Sequence, residues 1–310
     1  MRHFDADTTH RLLDYRGLVE GLRDMYKRGV DLTERKVLHQ KLPDGSQNDW
    51  LILPAWQFGR HQGIKLVSVF PGNEKKGLAS ILGLYVLFDG ETGAPILTID
   101  GAALTLRKTV CNSALAVDYC AREDASKLLV MGAGNLAPHV VAAHASVRPI
   151  TEAKIWNRSP EKAVALAARL SRPGLAVSAA PDLQAAAGWA DIITGVTMTK
   201  QPLLKGAWLK PGQHLDLIGA FRPDMREADD EAVRRSRLFI DARFSVLDEC
   251  GDISQPLEAG LIKETDITDL FQLSRGERPG RQNDDEITLF KSGGGGHEDL
   301  ATAQYLLSKV

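Results

Sequence analysis

Residues 128–159, LLVMGAGNLAPHVVAAHASVRPITEAKIWNRS, decide the fold of this chain. Leu128–Met131 is an apolar run of strand length. Gly132-Ala133-Gly134-Asn135-Leu136-Ala137 then turns the chain into a helical segment, Pro138–Ala145. Ala153–Trp156 reads as the next strand and ends in Asn157-Arg158-Ser159. Strand, tight glycine turn, helix and strand in that order predict a dinucleotide-binding βαβ unit. Gly132 makes the turn. Gly134 lets the backbone approach a pyrophosphate, which would sit on the helix N-terminus at Asn135 and Leu136. Ala137 is small enough for close packing of helix on strand. A bare GxGxxA is weak evidence, and a glycine turn without a ligand is the bland alternative. The strands on both sides, at the right distance, favour the nucleotide.

The end of the second strand selects the cofactor. An acidic residue there would accept from a ribose 2′-hydroxyl and favour NAD. Asn157, Arg158 and Ser159 instead offer donors and a fixed positive charge, which suit a 2′-phosphate. The expected cofactor is therefore NADPH, with NADH as the second candidate. Ser159 is also placed to cap the next helix, with Pro160 at its first position. That role leaves the Arg158 guanidinium unused.

Composition frames this reading. The 310 residues suggest two domains, and 44% hydrophobic content is ample for a large core. Lys and Arg number 38 against 40 Asp and Glu, so no basic stripe calls for nucleic acid or a membrane surface. The start, MRHFDADTTH, has no apolar signal region, and the longest apolar runs are strand-sized. Cys111, Cys120 and Cys250 form no CxxC pair, which fits free thiols in a reducing cytoplasm. No His, Cys and carboxylate cluster has metal-ligand spacing, so no metal is expected.

Outward from the glycine turn, the chain falls into three stretches. Residues 7–28 read as one amphipathic helix, started near Asp7 or Thr8 and stopped by Gly29. Trp50–Leu53, Ile64–Phe70, Ile81–Phe88 and Pro95–Thr98 carry strand signals, with a hairpin-type turn at Phe88–Gly93. Residues 102–121 read as a helix leading into the nucleotide unit. Strands and helices then alternate, with further strands near Val177, Asp191–Thr194, His214–Ile218 and Leu238–Ile240. That makes six strands, the number of a complete doubly wound sheet. A last helix, His297–Ser308, follows a glycine-rich turn, and its place in the chain suggests a return to the first domain.

Four positions outside the nucleotide unit draw attention. Lys65 lies inside an apolar strand, GIKLVSVF, where a cation is expensive unless paired; an edge or snorkelling lysine is the plain alternative. Arg35 and the Arg107-Lys108 pair could be solvated surface residues. His297 follows four glycines, Gly293–Gly296, which are costly to order and imply a close approach of that loop to something.

These segments together resemble the ornithine cyclodeaminase/mu-crystallin family over nearly the whole chain. The matching stretches are Arg35, GIKLVSVFPGN (63–73), GLASILGLYVLFD (77–89), SALA (113–116), VMGAGNLA (130–137), IWNRSPEKA (155–163), IGAFRPDMREADDE (218–231) and FKSGGGGHEDLATA (290–303). The resemblance implies an α/β fold of two domains. One is a Rossmann domain at 119–291. The other is a discontinuous α+β substrate-binding and dimerisation domain at 1–118 and 292–310, which pairs through its β-sheet into a homodimer. It also implies an active site between the domains and small amino-acid or cyclic imino-acid substrates. Arg35 and Lys65 match substrate-carboxylate ligands. The family's usual Arg-Thr pair falls on Lys108-Thr109, so either Lys108 or the neighbouring Arg107 would be the third. His297 joins the substrate side. Ser80, Thr109, Thr197, Ile218, Gly219 and Ser292 match the cofactor side.

Two departures decide between branches of the family. Cyclodeaminases carry carboxylates where this chain has Phe221 and Leu51. Losing both argues against ammonia elimination and for hydride transfer, as in the ketimine-reducing branch. The expected reaction is NADPH-dependent reduction of Δ1-pyrroline-2-carboxylate to L-proline, or of Δ1-piperideine-2-carboxylate to L-pipecolate. Lys65, a bound water or His297 would supply the proton. A cyclodeaminase with bound NAD, an alanine dehydrogenase-like reductive aminase, and a non-catalytic NADPH or ligand binder stand as alternatives.

Overall fold

The computed structural model describes residues 1–31 and 33–310, with the side chain of Glu74 left aside. The chain divides into two compact units, Met1–Lys108 with Gly295–Val310, and Thr109–Gly294. These divisions differ from the expected 118/119 and 291/292. The first falls inside a helix whose two ends have different neighbours.

The first unit opens with β1 (Arg2–Phe4), α1 (Ala6–Leu12) and α2 (Tyr15–Arg28). The single helix expected over 7–28 is thus two. Asp5 caps the first by accepting from the Thr8 amide at 2.8 Å, and Asp14 caps the second by accepting from Gly17 at 2.8 Å. A cap residue is non-helical, so Asp14 breaks the run at the point where Leu13 buries itself. Gly29 ends α2 as expected. Then come β2 (Lys36–Lys41), β3 (Gln47–Gln57), β4 (His61–Val69), β5 (Ile81–Asp89) and β6 (Pro95–Asp100). The six strands lie in the order β1-β6-β5-β4-β3-β2, antiparallel except for β1 beside β6. β2 escaped the sequence reading because all six of its residues are exposed, which leaves no clear apolar alternation.

Strand register fixes which side chains share a face. Leu53 faces Lys65, Lys65 faces Tyr85, and Tyr85 faces Ile99. On this face Ala55, Tyr85, Leu87, Leu97 and Ile99 are buried. The opposite face presents Leu38, Trp50, Trp56, Leu82 and Leu84, each between 37% and 54% exposed.

The helix α3 (Gly101–Cys120) carries the chain into the second unit. There follow β7 (Lys127–Met131), α4 (Leu136–Ala145), β8 (Glu152–Trp156), α5 (Pro160–Leu170), β9 (Ala176–Ala179), α6 (Leu183–Trp189), β10 (Ile192–Gly195) and β11 (His214–Leu217). The rest are α7 (Asp230–Arg234), β12 (Ser236–Ile240), α8 (Arg243–Val246), α9 (Gly251–Glu258), β13 (Ile267–Asp269), α10 (Leu270–Ser274) and β14 (Ile287–Lys291). A final helix, α11 (Gly296–Leu307), belongs to the first unit, where it packs on α2, β3, β4 and β5.

All pairings of the second sheet are parallel, in the order β13-β12-β14-β11-β10-β7-β8-β9. This is the doubly wound arrangement expected, with eight strands instead of six. The last expected strand, β12, does not adjoin β11. β14 inserts between them, and its sequence ITLFK passed unnoticed because the run is short and ends in a lysine. Parallel strands buried on both faces account for the continuous apolar runs: Leu129, Met131, Ile193, Leu215 and Leu217 on one face and Leu128, Val130 and Ile192 on the other are all fully buried. No described helix is long and apolar enough to cross a membrane.

Candidate active site

The second unit gathers its predicted cofactor residues at one edge of the sheet. Register runs straight across Trp156, Met131, Gly195, Leu217 and Lys291. Each is the last residue of its strand. The next residues along the chain therefore stand side by side at the carboxyl edge, where open α/β sheets take their ligands. They are Asn157, Gly132, Val196, Ile218 and Ser292.

The glycine turn fits a dinucleotide. Gly132 has φ of +117°, and a Cβ there would lie 2.9 Å from a Val196 methyl. Gly134 is exposed, and a Cβ there would meet nothing within 4 Å, so its backbone is open to a ligand. Asn135 stands at the N-cap of α4 without a side-chain cap hydrogen bond. Ala137 donates to the Gly134 carbonyl at 3.2 Å and Pro138 has no N–H, so the amides at the start of this ten-residue helix that are left for an anion are those of Asn135 and Leu136. Ala137 is buried against the sheet as expected.

At the end of β8 the Asn157 amide donates to the Ser159 carbonyl at 3.0 Å. Ser159 occupies the N-cap of α5, with Pro160 following, but its side chain makes no capping hydrogen bond. The hydroxyl is left for other use. Arg158 is exposed.

Thr197, Ile218 and Gly219 follow β10 and β11, and one carboxylate ties two of them together. Glu227 Oε1 accepts from the Thr197 amide at 2.7 Å and from its hydroxyl at 2.6 Å, while Oε2 accepts from the Gly219 amide at 2.8 Å. Glu227 is fully buried beside Asp252 and Lys291. Asp252 Oδ1 accepts from the Glu227 and Ala228 amides at 2.8 and 3.2 Å. Lys291 Nζ lies 3.4 Å from Asp252 Oδ2 and donates to the Leu217 carbonyl at 3.2 Å. Burial pushes the Glu227 carboxyl up to about 7, against the pull of Lys291 and with the push of Asp252. Burial alone would lower the Lys291 ammonium, but Asp252, Cys250 and Glu227 together hold it above its ordinary range. Ser292 donates to Asp241 at 3.3 Å, and the same carboxylate accepts from the Gly293 and Gly294 amides at 2.7 and 2.6 Å. The costly glycine run therefore begins on a buried aspartate.

The first unit brings together Lys65, Lys108 and His297 of the predicted substrate residues. Lys65 Nζ lies 2.8 Å from Asp299 Oδ2, and Lys108 donates to Glu298 Oε2 at 2.6 Å. Tyr26 donates to Glu298 Oε1 at 3.3 Å, and its hydroxyl is 3.3 Å from His297 Nε2. The Tyr26 and His297 rings meet edge to face at 5.6 Å. Burial lowers the Lys65 ammonium; Asp299 raises it and Lys108 lowers it further. Above Lys65 in the register, the Tyr85 hydroxyl is buried with no hydrogen-bond partner among the described residues. Burial and Asp299 raise it well above the ordinary phenol range. Arg35 immediately precedes β2, whose first pair is Lys36 with Ile52. That puts it one step from the row of Leu53, Lys65 and Tyr85.

Other predicted residues go elsewhere. Arg107 was a candidate third carboxylate ligand. Its guanidinium instead donates to His10 Nδ1 at 3.0 Å and to the His10 carbonyl at 2.8 Å, and it stacks 4.2 Å from the centre of the Tyr15 ring. Successive helix residues point about 100° apart, so only Lys108 joins the Lys65 cluster. Ser80 precedes β5 in the first unit, with a buried hydroxyl lacking a described partner, and Thr109 is half-buried in α3.

Glu227, Asp252, Lys291, Glu298 and Asp299 were missed by the sequence reading. One signal was available: Lys291 ends an apolar strand just as Lys65 interrupts one. Glu298 and Asp299 look, in sequence, like ordinary acidic residues of a first helical turn. Among the described residues no His, Cys, Asp and Glu group could hold a metal ion.

A fold built from a complete Rossmann-type sheet and a mainly antiparallel sheet bearing the buried Lys65 defines a nicotinamide-binding class. The pattern of the ornithine cyclodeaminase/mu-crystallin family matches residues 8–310, and the chain belongs to that family. It is 39% identical over 305 residues to Delta(1)-pyrroline-2-carboxylate reductase of Paracoccus denitrificans, covering 97% of this chain and 94% of that one. It is 32% identical to the reductase of the same name from Colwellia psychrerythraea, covering 100% and 99%. Among solved structures, Thermococcus litoralis Delta(1)-pyrroline-2-carboxylate reductase in complex with NADH and L-proline is similar with a TM-score of 0.89. Its identity is 31%, over 100% of this chain and 97% of that one.

Proposed function

We propose that this protein reduces Δ1-pyrroline-2-carboxylate to L-proline with NADPH. The observation that carries the reading is the Lys65–Lys108–His297 cluster in a chain whose second unit has an open, uncapped dinucleotide turn. Bound NADPH would supply the hydride. Gly132, Gly134, Asn135 and Leu136 would hold its pyrophosphate, and Asn157, Arg158 and Ser159 its 2′-phosphate.

Charge counting explains the substrate side. Lys65 and Lys108 balance Glu298 and Asp299, so an incoming carboxylate needs a further cation. Arg35 supplies one with fixed charge and a planar fork. Asp299 and Glu298 anchor the two ammonium heads and offset part of their burial cost. The Lys65 ammonium has three donors, so its pairing with Asp299 leaves others for substrate. As the imine carbon is reduced, the ring nitrogen takes a proton. Lys65 holds one at Nζ, and its burial eases release.

Leu51 lies on the Lys65 face of the sheet and Phe221 is 49% exposed beyond β11. Neither can accept a proton, which disfavours an ammonia-eliminating reaction. The exposed face bearing Leu38, Trp50, Trp56, Leu82 and Leu84 supports a homodimer formed through the first sheet. Purified protein should oxidise NADPH with the cyclic imine, form L-proline, and release no ammonia from L-ornithine with NAD. Ammonia from ornithine without imine-dependent NADPH oxidation would overturn the reading. Trp50→Glu should convert the dimer to monomer in sedimentation, and an unchanged mass would remove this face from the interface.

A further inference from the structure

We infer that Glu227 is a positioning residue for the nicotinamide end of the cofactor. The inference rests on the nucleotide reading above, and topology locates that end. The 2′-phosphate residues follow β8 and the pyrophosphate turn follows β7. Strand order continues β8-β7-β10-β11. A dinucleotide laid across this edge therefore carries its nicotinamide over the ends of β10 and β11. The loops there begin at Val196 and Ile218.

Glu227 ties these loops together. One carboxylate accepts from the Thr197 amide, the Thr197 hydroxyl and the Gly219 amide. The loops are packed without slack. A Cβ on Gly219 would overlap the Thr197 backbone, and a Cβ on Gly195 would lie 2.6 Å from Glu227 Oε1. Behind the carboxylate, Asp252 holds the Glu227 amide and Lys291 pairs with Asp252. Neither Glu227 oxygen has to touch the cofactor. Its effect passes through two backbone positions, whose placement sets where a flat ring and its carboxamide can lie.

Glu227→Gln tests this. The amide keeps the volume but turns one acceptor into a donor, which then opposes the Thr197 or the Gly219 amide. NADH and ADP-ribose, which lacks the nicotinamide, are titrated against wild-type and variant protein. The expected result is an NADH Kd raised roughly tenfold, with that of ADP-ribose changed less than about twofold. Equal weakening of both, or of neither, would overturn the inference. Wild-type protein that binds neither would instead overturn the nucleotide reading beneath it. Should Glu227→Gln fail to fold, Thr197→Val removes only the hydroxyl bond. It should weaken NADH a few-fold while sparing ADP-ribose, and Thr197→Ser should restore NADH affinity. Failure of that rescue would count equally against the inference.

Discussion

Two buried charge clusters use the same residue types for opposite ends. In the second unit a single ammonium, Lys291, pairs with Asp252 in the field of Glu227, and every member also bonds backbone: Glu227 to Thr197 and Gly219, Asp252 to Glu227 and Ala228, Lys291 to Leu217. In the first unit two ammoniums meet two carboxylates side chain to side chain, beside His297 and Tyr26. A charge committed to backbone is a brace. An ammonium paired with another side chain, as Lys65 is with Asp299, keeps further donors that a ligand can take.

The sharpest way to break this comparison is Lys291→Met. It strands the Asp252 carboxylate in the core and should cost about 3–5 kcal/mol, lowering Tm by on the order of 10 °C. A thermal melt with unchanged Tm would show that the cluster braces nothing. Next is Lys65→Met, which should cut kcat/KM at least about a hundredfold while Tm falls less than in Lys291→Met and NADPH still binds in a fluorescence titration. Loss of fold and cofactor together would make Lys65 a brace as well.

Arg158→Ala sharpens the cofactor half. A charged hydrogen bond to the 2′-phosphate contributes about 1.5–3 kcal/mol, so NADPH should weaken roughly ten- to a hundredfold and NADH hardly at all. Equal losses would show that Arg158 does not read the phosphate. The smallest effect concerns a buried group outside both clusters. Burial holds the His214 imidazole down at about 3, with Arg281 adding to the effect and Asp216 opposing it, while Nδ1 stays 2.9 Å from the Thr288 hydroxyl. The unfolded chain binds this proton below about pH 6.5 and the folded one does not, so stability falls as pH drops from there towards 3. The slope is about 0.7 kcal/mol per unit at pH 6.5 and approaches about 1.4 kcal/mol per unit below pH 5.5. His214→Asn should flatten that limb in urea melts taken between pH 6.5 and 5.5, and an unchanged slope would assign it to other groups.

The sequence by itself determined the βαβ unit, because a glycine turn between two apolar runs is local: Gly132, Ala137 and Asn157–Ser159 lie within one short stretch. It also showed Lys65 as an anomaly, since a cation in an apolar strand is visible without knowing its partner. Strand order was a tertiary decision. β14 follows β13 in the chain yet slots between β11 and β12, because parallel pairing is chosen by packing across the sheet rather than by sequence proximity. The break at Asp14 hung on one cap that a continuous amphipathic pattern hides. The partners of the charges were likewise beyond local reading. Lys65 meets Asp299, Lys108 meets Glu298 and Glu227 accepts from the Gly219 amide only after folding, since ion pairs and hydrogen bonds are fixed by distance in space. Arg107 and Lys108, adjacent in sequence, part company because one residue step of a helix turns the side chain by about 100° and sends them to different neighbours.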